Sequence, residues 1–539
     1  MILDVITKRI TLDNVAFIVL PISVAVIIVR LANARRRPHT TRLKGPPSNS
    51  YLLGLSKELF TSPDLGIVYE NWEKEYGPVF EVPAAMGSKV VVLCDPKAIA
   101  YHYSKDTFTY QQPPGTRFFI GHYFGHNLLW AEAEDHKRQR KALSSAFSTS
   151  AIRRLTSVFF DSAYQLKANW DSSFQSSSKE SLVIEVQQWM NNISLDSIGR
   201  GGFSYDFGAL KGSKTPIAIA FDSFGDVKPS LSILLLFLLS PSFPILAKVP
   251  NKRNDLFKTL KAKVADIADD LLERTRKEKE ANMAESAADK SIIGTLVRSE
   301  NASSSVHMSH EEILAQNLLI LAGYETTAIS LTWALIELSK KPEEQDKLRA
   351  ELDQFSGEDP TYEQLTSALP FLDAVVCEIL RLHPPVAETT RQAQEDDIIP
   401  LSNPVFDADD KLVDSIFVAK GTKIRVPIMC LNRSEVMWGK DAKEFIPGRW
   451  LNETLSQRAT EIQGHRHLLT FVDGPRTCLG KPFALTEFKA VLSVLIRNFT
   501  FEFPNGPTTK IENHRSILAR PKVAGQEGPK VPLLVRRVE

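Results

Sequence analysis

A ten-residue loop near the C-terminus, from Phe471 to Gly480, constrains the fold of this chain more than any other feature of its sequence. Gly474 permits a backbone turn that a residue with a Cβ atom could not adopt. Cys478 stands just before a predicted helix, whose unpaired N–H groups and dipole stabilise a negatively charged sulfur. Arg476 adds a fixed cation two residues earlier. The loop therefore predicts a stabilised thiolate held at the N-terminus of a helix.

The same loop resembles the F-x-x-G-x-R-x-C-x-G signature of the cytochrome P450 superfamily, and all five fixed positions match. The resemblance implies a mainly α-helical haem domain with a smaller β-rich region, and haem b as the cofactor. Cys478 is then the axial ligand of the iron, and Arg476 binds a haem propionate. Phe471 and Gly480 complete the haem-binding loop, in which Gly480 lets the chain pass close to the macrocycle. A nucleotide-binding P-loop is excluded because prolines occupy two of its required positions.

Two further segments fit the resemblance and follow the order of the superfamily. Glu378 and Arg381 form its E-x-x-R pair, and their spacing places both side chains on one face of a helix. Arg449 is the expected third member of this network, although Gly448 replaces the usual glutamate before it. By resemblance, the network stabilises the core beneath the haem.

Additional haem-binding residues are implied upstream of the cysteine loop and beyond the E-x-x-R pair. Arg140 and Arg391 are the expected partners of the propionates. His136 stands where the superfamily usually has tryptophan, and its ring can still donate a hydrogen bond to a carboxylate.

A long predicted helix from Ser309 to Lys340 begins with a capping box and carries the oxygen-activation segment of the superfamily. We expect the small residues Ala322 and Gly323 to let the helix backbone lie against the haem. The resemblance gives Glu325 and Thr326 the catalytic roles: Thr326 positions a water molecule, and Glu325 relays protons from solvent.

Shorter patterns predict the surroundings of these segments. The β-prone runs Val79–Val82 and Val90–Cys94 indicate a hairpin, and helices are expected over Pro370–Leu382 and Pro482–Asn498. The four cysteines lack any C-x-x-C pair, which argues against a zinc ribbon and against a disulfide scaffold. We interpret Cys94, Cys377 and Cys430 as buried, inert residues.

The first 44 residues are predicted to form a membrane anchor and its basic flank, followed by the haem domain over residues 45–539. An apolar run starts at Val15 and extends to Ala34, about the length that a bilayer span requires. The basic residues that follow it place the rest of the chain in the cytosol, and the run lacks the cleavage site of a signal peptide. We therefore expect a single-pass protein of the endoplasmic reticulum membrane. Leu231–Leu239 is a second oily segment, either core or a loop that dips into the bilayer.

The partners are predicted from what the sequence contains and lacks. A formal net charge of +1 excludes a nucleic-acid partner. Since no dinucleotide-binding G-x-G-x-x-G motif follows a strand, electrons must come from another protein. The resemblance to microsomal members of the superfamily implies an NADPH-cytochrome reductase, with cytochrome b5 as a second possible donor. The basic residues that form either its docking patch or a solvated face are Lys137, Arg138, Lys141 and Lys481.

An aromatic stretch suggests the substrate class. The residues expected to roof an apolar pocket for a lipophilic substrate are Phe118, Phe119, Tyr123 and Phe124, with Val386 and Ala387 lining it as well. The character of the chain is that of fungal microsomal members, which favours a monooxygenase of secondary metabolism, for example of terpenoids. Fatty-acid or xenobiotic hydroxylation, a non-oxygenating isomerase or dehydratase, and a haem-binding sensor or structural anchor protein are the alternatives. Glu325 and Thr326 argue against the non-oxygenating enzyme.

Overall fold

The computed structural model describes residues 39–213 and 306–538 apart from 356, 452–454 and 515–517, together with scattered positions between 219 and 296. Helices dominate the described residues, as expected from the resemblance. They are α1 Ser56–Thr61, α2 Leu65–Tyr76, α3 Pro96–Ser104, α4 Pro114–Phe124, α5 Ala133–Ser144, α6 Thr149–Ser177, α7 Val186–Phe203, α8 His310–Ala315, α9 Leu318–Lys340, α10 Pro342–Leu352, α11 Tyr362–Ser367, α12 Pro370–Leu382, α13 Ile428–Leu431, α14 Glu435–Trp438, α15 Gln457–Thr460 and α16 Lys481–Asn498.

Twelve strands form four small sheets within the described ranges. They are β1 Val79–Pro83, β2 Lys89–Leu93, β3 Tyr110–Gln111, β4 Ser181–Glu185, β5 Thr389–Ala393, β6 Asp397–Phe406, β7 Leu412–Val418, β8 Lys423–Val426, β9 Phe499–Glu502, β10 Ile511–His514, β11 Arg520–Val523 and β12 Pro532–Arg537. The largest sheet has the order β1-β2-β8-β5-β3, and the others are β4-β12-β9, β6-β7 and β10-β11. The predicted hairpin is confirmed as the antiparallel pair β1 and β2.

Helix α9 lies at the centre of the core and packs against α7, α12 and α16. Most of its side chains are buried, which explains why apolar residues occur on all its faces rather than on one stripe. The predicted helix Pro370–Leu382 is confirmed with the same bounds, and α16 begins at Lys481, one residue before the predicted start. These helices carry or adjoin the residues expected at the haem site.

The predicted helix over residues 309–340 is interrupted after its first turns. The capping box at Ser309 and Glu312 is present, but a turn at Gln316 and Asn317 separates α8 from α9. The Asn317 amide donates to the carbonyl oxygen of Leu314 at 2.6 Å, and Gln316 bonds to Gln139 of α5 at 3.0 Å. Such side-chain bonds compete with the helical pattern, which is why periodicity alone did not reveal the break.

The segment after the predicted anchor packs against two sheets. Thr41 donates its N–H to the carbonyl oxygen of Phe417 in β7, and the carbonyl oxygen of Lys44 accepts from Glu81 in β1. A Cβ atom on Gly45 would stand 1.9 Å from the carbonyl oxygen of Glu81, so only glycine fits there. The chain thus enters the domain along a fixed path.

Two predictions about membrane segments concern residues that lie mostly or wholly outside the described ranges. They are the anchor and basic flank over residues 1–44, of which only residues 39–44 are described, and the oily segment Leu231–Leu239. Among the residues that the structure describes, only the stretch His310–Lys340, which comprises α8 and α9, is long and apolar enough to cross a bilayer. Since 72% of its most apolar window is buried inside the domain, it is a core helix.

Candidate functional site

The cysteine loop is folded by a few short backbone bonds. Gly474 adopts a φ of +70°, and a Cβ atom there would stand 2.2 Å from the carbonyl oxygen of Tyr103. The N–H of Cys478 donates to the carbonyl oxygen of Phe471 at 2.8 Å, which closes the loop. Helix α16 begins three residues after Cys478, with Gly480 as its N-cap. The cysteine therefore stands at the helix N-terminus, as its sequence position predicts.

The sulfur of Cys478 lies in an electrostatic setting that suits a metal ligand. Its side chain is accessible, but burial of the surroundings raises the pKa of the thiol, whereas the N–H of Gly480 and the charge of Arg140 lower it. We interpret this as a thiol on the wall of an internal cleft. Burial disfavours the thiolate, but a bound metal cation reverses this effect, because a thiol that coordinates a metal loses its proton.

Three arginines and two buried carboxylates meet beside this loop. Arg391 of β5 donates to Asp106 through Nε at 2.8 Å and Nη2 at 3.1 Å. Arg476 bonds to the carboxylate of Glu132 and to the carbonyl oxygen of Ala131. With Arg140 on α5, the cluster contains one more cation than carboxylates.

The pKa of His136 shows that this residue lies close to all three arginines. Burial lowers the pKa of His136 to about 3, and the charges of Arg476, Arg140 and Arg391 add to that effect. The four residues predicted to bind the propionates therefore lie within interaction range of one another, although they come from three separate segments of the chain. At neutral pH the imidazole is uncharged and can still donate one hydrogen bond.

The cluster fits the two carboxylates of a haem. The Nε of Arg476 is buried without a hydrogen-bond acceptor among the described residues, and it lies 3.6 Å from Asp106 Oδ1, beyond hydrogen-bond distance. Surplus positive charge and an unpaired buried donor both favour binding of an anion. Together with the thiol of Cys478, they supply the donor set that a haem requires.

The E-x-x-R network is present and includes the third residue that the sequence predicted. Arg381 donates to both carboxylate oxygens of Glu378 at 2.8 Å, and Arg449 donates to Glu378 Oε1 at 3.1 Å. The indole of Trp450 adds a bond to Glu378 Oε2 at 2.9 Å. Arg381 also donates to three backbone carbonyl groups within the segment 432–444. The fully buried pair thereby fixes an irregular stretch of chain that leads to the cysteine loop.

Thr326 and Glu325 occupy different environments on α9. The hydroxyl of Thr326 is partly accessible and donates to the carbonyl oxygen of Ala322 at 2.7 Å, one turn earlier. Glu325 is buried, and the Nε of Arg520 in β11 donates to its Oε1 at 3.1 Å. No sequence pattern predicts this ion pair, because Arg520 lies 195 residues away from Glu325 in an ordinary strand.

The expectation that Gly323 lets α9 lie against the haem stays a prediction, and the structure gives this glycine a further packing role. A Cβ atom on Gly323 would stand 3.1 Å from the side chain of Ile198 in α7, so this glycine allows α7 and α9 to approach closely. Ala322 is exposed on another face of α9. Adjacent residues of a helix point about 100° apart around its axis, so Ala322 and Gly323 face different neighbours.

The predicted aromatic roof packs as one cluster on α4. The rings of Phe119, Tyr123 and Phe124 lie 4.6–5.9 Å from the ring of Phe257, measured between ring centroids. Phe118 stacks on a neighbouring histidine instead. The helix is therefore held by aromatic contacts to a distant segment.

The predicted basic docking patch is weakened by internal ion pairs. Arg138 donates to both carboxylate oxygens of Glu312, at 2.6 Å and 3.0 Å, and also pairs with Asp135 at 3.1 Å. Lys137 lies 3.8 Å from Glu134. The charge of Arg138 is thus neutralised within the domain and contributes little to a docking surface.

A mainly helical domain with a cysteine loop at a helix N-terminus and an adjoining arginine cluster has the layout of a haem-thiolate protein. The chain belongs to the cytochrome P450 family, whose model matches residues 44–526. Two fungal relatives from Ampulloclitocybe clavipes are cytochrome P450 monooxygenase claP, 59% identical over 98% of both chains, and claQ, 60% identical over 94% of both. Cytochrome P450 monooxygenase 128 of Postia placenta (strain ATCC 44394 / Madison 698-R) is 32% identical over 93% of this chain and 94% of its own. The protein is an oxidoreductase of this monooxygenase family, which uses haem with an axial cysteine thiolate.

Proposed function

We propose that this protein is a monooxygenase of the endoplasmic reticulum membrane that binds its haem iron through Cys478. It inserts one oxygen atom of O2 into a lipophilic secondary metabolite, with terpenoids as the first class to test. The observation that carries this proposal is the position of Cys478, at the N-terminus of α16 and within electrostatic range of Arg140 in the arginine cluster. One cleft thereby offers the sulfur of Cys478 as a ligand and the arginine cluster as the binding group for two propionates.

Each of the predicted haem-binding residues has a defined part in holding the cofactor. Cys478 would supply the sulfur ligand of the iron, while Arg140, Arg391 and Arg476 would bind the propionates and His136 would donate a hydrogen bond to one of them. Bound there, the haem supplies reductive activation of O2, which an electron-rich thiolate ligand favours. Asp106 and Glu132 keep the arginines oriented before the cofactor arrives.

Proton delivery is the task of α9. The hydroxyl of Thr326 faces accessible space, where it can hold a water molecule, while its bond to Ala322 fixes its rotamer. Glu325 follows the same helix but is buried against Arg520, so a proton reaches it only when that pair moves or a water molecule enters. These two residues favour an oxygenating enzyme over an isomerase or dehydratase, which needs no such pair.

Replacing Thr326 with alanine tests this assignment. We expect haem to remain bound while the product formed per NADPH falls about tenfold and the missing reducing equivalents appear as peroxide or water. Thr332→Ala is the matched control, because its hydroxyl makes the same bond to the carbonyl oxygen one turn earlier, at 2.8 Å, but is fully buried. Equal coupling in both variants would refute the role of Thr326.

Electrons come from an NADPH-cytochrome reductase, with cytochrome b5 as an additional donor. Family members need a redox partner, and this sequence contains no dinucleotide-binding motif of its own. With purified components, NADPH consumption should require the reductase. Turnover with peroxide alone would instead indicate a peroxide-dependent enzyme.

The membrane location is supported by the surface around the entry path of the chain. Arg42 and Lys44 form salt bridges with the turn between β6 and β7, and Phe406 and Leu412 at the ends of those strands are exposed. Tyr51 is exposed in the segment that follows. Large apolar side chains next to the predicted anchor are suited to the boundary between headgroups and acyl chains.

Deletion of residues 1–38 together with Phe406→Glu and Leu412→Glu should release the protein from membranes. We expect the deletion alone to leave a measurable fraction bound, because the apolar surface remains. Val183→Glu in the deleted chain is the control, since Val183 is equally exposed but lies on a different sheet. Identical membrane fractions for all three proteins would contradict a contribution from this surface.

The axial ligand is tested by spectroscopy. The reduced protein with carbon monoxide should show the red-shifted Soret band of a thiolate ligand, and Cys478→Ser should lose it. Cys377→Ser, which alters a buried cysteine of α12, should keep the band. A band typical of imidazole ligation in the unaltered protein would disprove the proposal.

The substrate class is tested by spectral titration with hydrophobic ligands. Terpenoid hydrocarbons and alcohols should displace the iron-bound water and shift the spectrum at lower concentrations than fatty acids of equal carbon number. The reverse order would favour a fatty-acid hydroxylase.

A further inference from the structure

Two buried cysteines and a buried glutamate meet away from the haem-binding loop. Cys94 follows strand β2, Cys430 lies in the short helix α13, and Glu73 lies near the end of α2. The three ligand atoms all lie within 4.8 Å of one another. Elements that are more than 300 residues apart in the sequence thus contribute side chains with metal-binding chemistry to one point.

The spacing of the ligand atoms suits a tetrahedral zinc ion. The sulfur of Cys430 lies 3.8 Å from Glu73 Oε2. In a tetrahedral zinc site, a sulfur ligand and a carboxylate oxygen ligand lie about 3.5 Å apart. The sulfur of Cys430 and the oxygen of Glu73 would reach this distance by moving a few tenths of an ångström closer together. The hydroxyl of Ser434 donates to the same carboxylate oxygen at 3.2 Å and would orient the carboxylate from behind.

In the part of the chain that the structure describes, no basic side chain forms an ion pair with the Glu73 carboxyl group. Among the described residues, the Glu73 carboxylate accepts hydrogen bonds only from the neutral groups of Cys430 and Ser434. Lys74 and Lys443, the nearby lysines, are paired with Glu70.

We infer that Cys94, Cys430 and Glu73 bind a structural zinc ion, with a water molecule completing the coordination. The ion replaces the protons of the ligands and ties α2, β2 and α13 together. This site is independent of the proposed reaction, because none of its ligands belongs to the cysteine loop or to α9.

The position of Cys430 gives the ion a structural consequence. Two residues later, the carbonyl oxygen of Asn432 accepts from Arg381 of the E-x-x-R network at 3.0 Å, and the Asn432 amide donates to Thr470 at 2.8 Å. Thr470 immediately precedes the cysteine loop. Zinc binding would therefore brace the segment on which both the network and the loop depend, and its removal should speed the loss of haem.

Metal analysis of the full-length holoenzyme tests the site. The protein is purified from cells grown with added Zn²⁺ and dialysed against a weak chelator, and zinc and haem are then measured on the same sample. We expect on the order of one zinc per haem, and an X-ray absorption spectrum at the zinc edge with two sulfur neighbours at about 2.3 Å. Glu73→Gln and Cys430→Ser should each lower the zinc content of the dialysed protein about tenfold. Cys377→Ser is the matched control and should retain the metal.

Other results would overturn the inference. A zinc content below about one-tenth per haem in the unaltered protein excludes a stable site. Zinc without sulfur neighbours, or equal zinc in the control and in Glu73→Gln, assigns the metal to another place. A disulfide between Cys94 and Cys430, found in unreduced peptides after alkylation, replaces the metal site with a redox pair. The measurements on the unaltered protein decide the question even if a variant fails to fold.

Discussion

Replacing Arg520 with methionine removes the cation that faces Glu325 on the oxygen-activation helix. The side chains of Arg520 and Glu325 are only 1% and 3% exposed, and their atoms are 3.1 Å apart. Methionine preserves most of the volume of arginine, so the change mainly removes charge. The buried carboxylate then either stays ionised at a large desolvation cost or takes up a proton.

The expected magnitude follows from the burial of both partners. Removing one member of a buried ion pair destabilises the folded state by about 3–5 kcal/mol, a factor of roughly a hundred to several thousand in the unfolding equilibrium constant. The double variant Arg520→Met/Glu325→Gln should recover much of this loss, because it also removes the charge of the buried carboxylate that has lost Arg520. The two substitutions are therefore expected to be strongly non-additive.

Arg536→Met provides the matched control. Arg536 pairs with Glu502 at 2.6 Å, but the two side chains are 43% and 47% exposed. Exposed pairs contribute about 0–1 kcal/mol, so this variant should unfold close to the unaltered protein.

Urea titration of the holoenzyme, followed through the carbon monoxide spectrum, measures these differences. Product formed per NADPH is measured on the same samples, and we expect it to fall in Arg520→Met because the carboxyl group of Glu325 no longer has a fixed position. The reasoning is refuted if Arg520→Met costs no more than Arg536→Met, or if the effects of the Arg520 and Glu325 substitutions simply add.

Arg381→Lys keeps the charge but loses the planar fork that bonds Glu378 and three carbonyl groups, so the haem content of the purified protein should fall at least about tenfold; normal content would show that charge alone suffices. Burial lowers the pKa of His136 to about 3 from 6.5 in the unfolded chain, so the unfolded state binds the extra proton between these values and stability falls as the pH drops below about 6.5. In urea titrations between pH 6.5 and 5.5, His136→Trp should reduce the pH dependence of the unfolding free energy by up to about 1.4 kcal/mol per pH unit. An equal pH dependence in the variant and the unaltered protein would contradict this expectation. Ala133 has a φ of +47°, which costs an alanine about 1–2 kcal/mol, so Ala133→Gly should raise the urea midpoint; a lower midpoint would mean that the flexibility of glycine outweighs the relief of strain.

The sequence determined the parts of this protein that depend on neighbouring residues. The turn at Gly474, the helix after Cys478 and the capping box at Ser309 are set by conformational preferences within a few positions, and the structure has all of them. The E-x-x-R pair is equally local, since a spacing of three places both side chains on one helix face. Such local features can be predicted from a single sequence, and the family resemblance predicted how they are arranged.

Other features were decided only when distant segments came together. Arg520 reaches Glu325 across 195 residues, and Cys94 reaches Cys430 from a strand that is far away in the sequence. Gly323 allows the close contact with Ile198, because the rotation of α9 in the core decides which neighbour each face meets. No local preference encodes these contacts: a buried charge or thiol acquires its role from the groups that enclose it, and packing alone selects those groups.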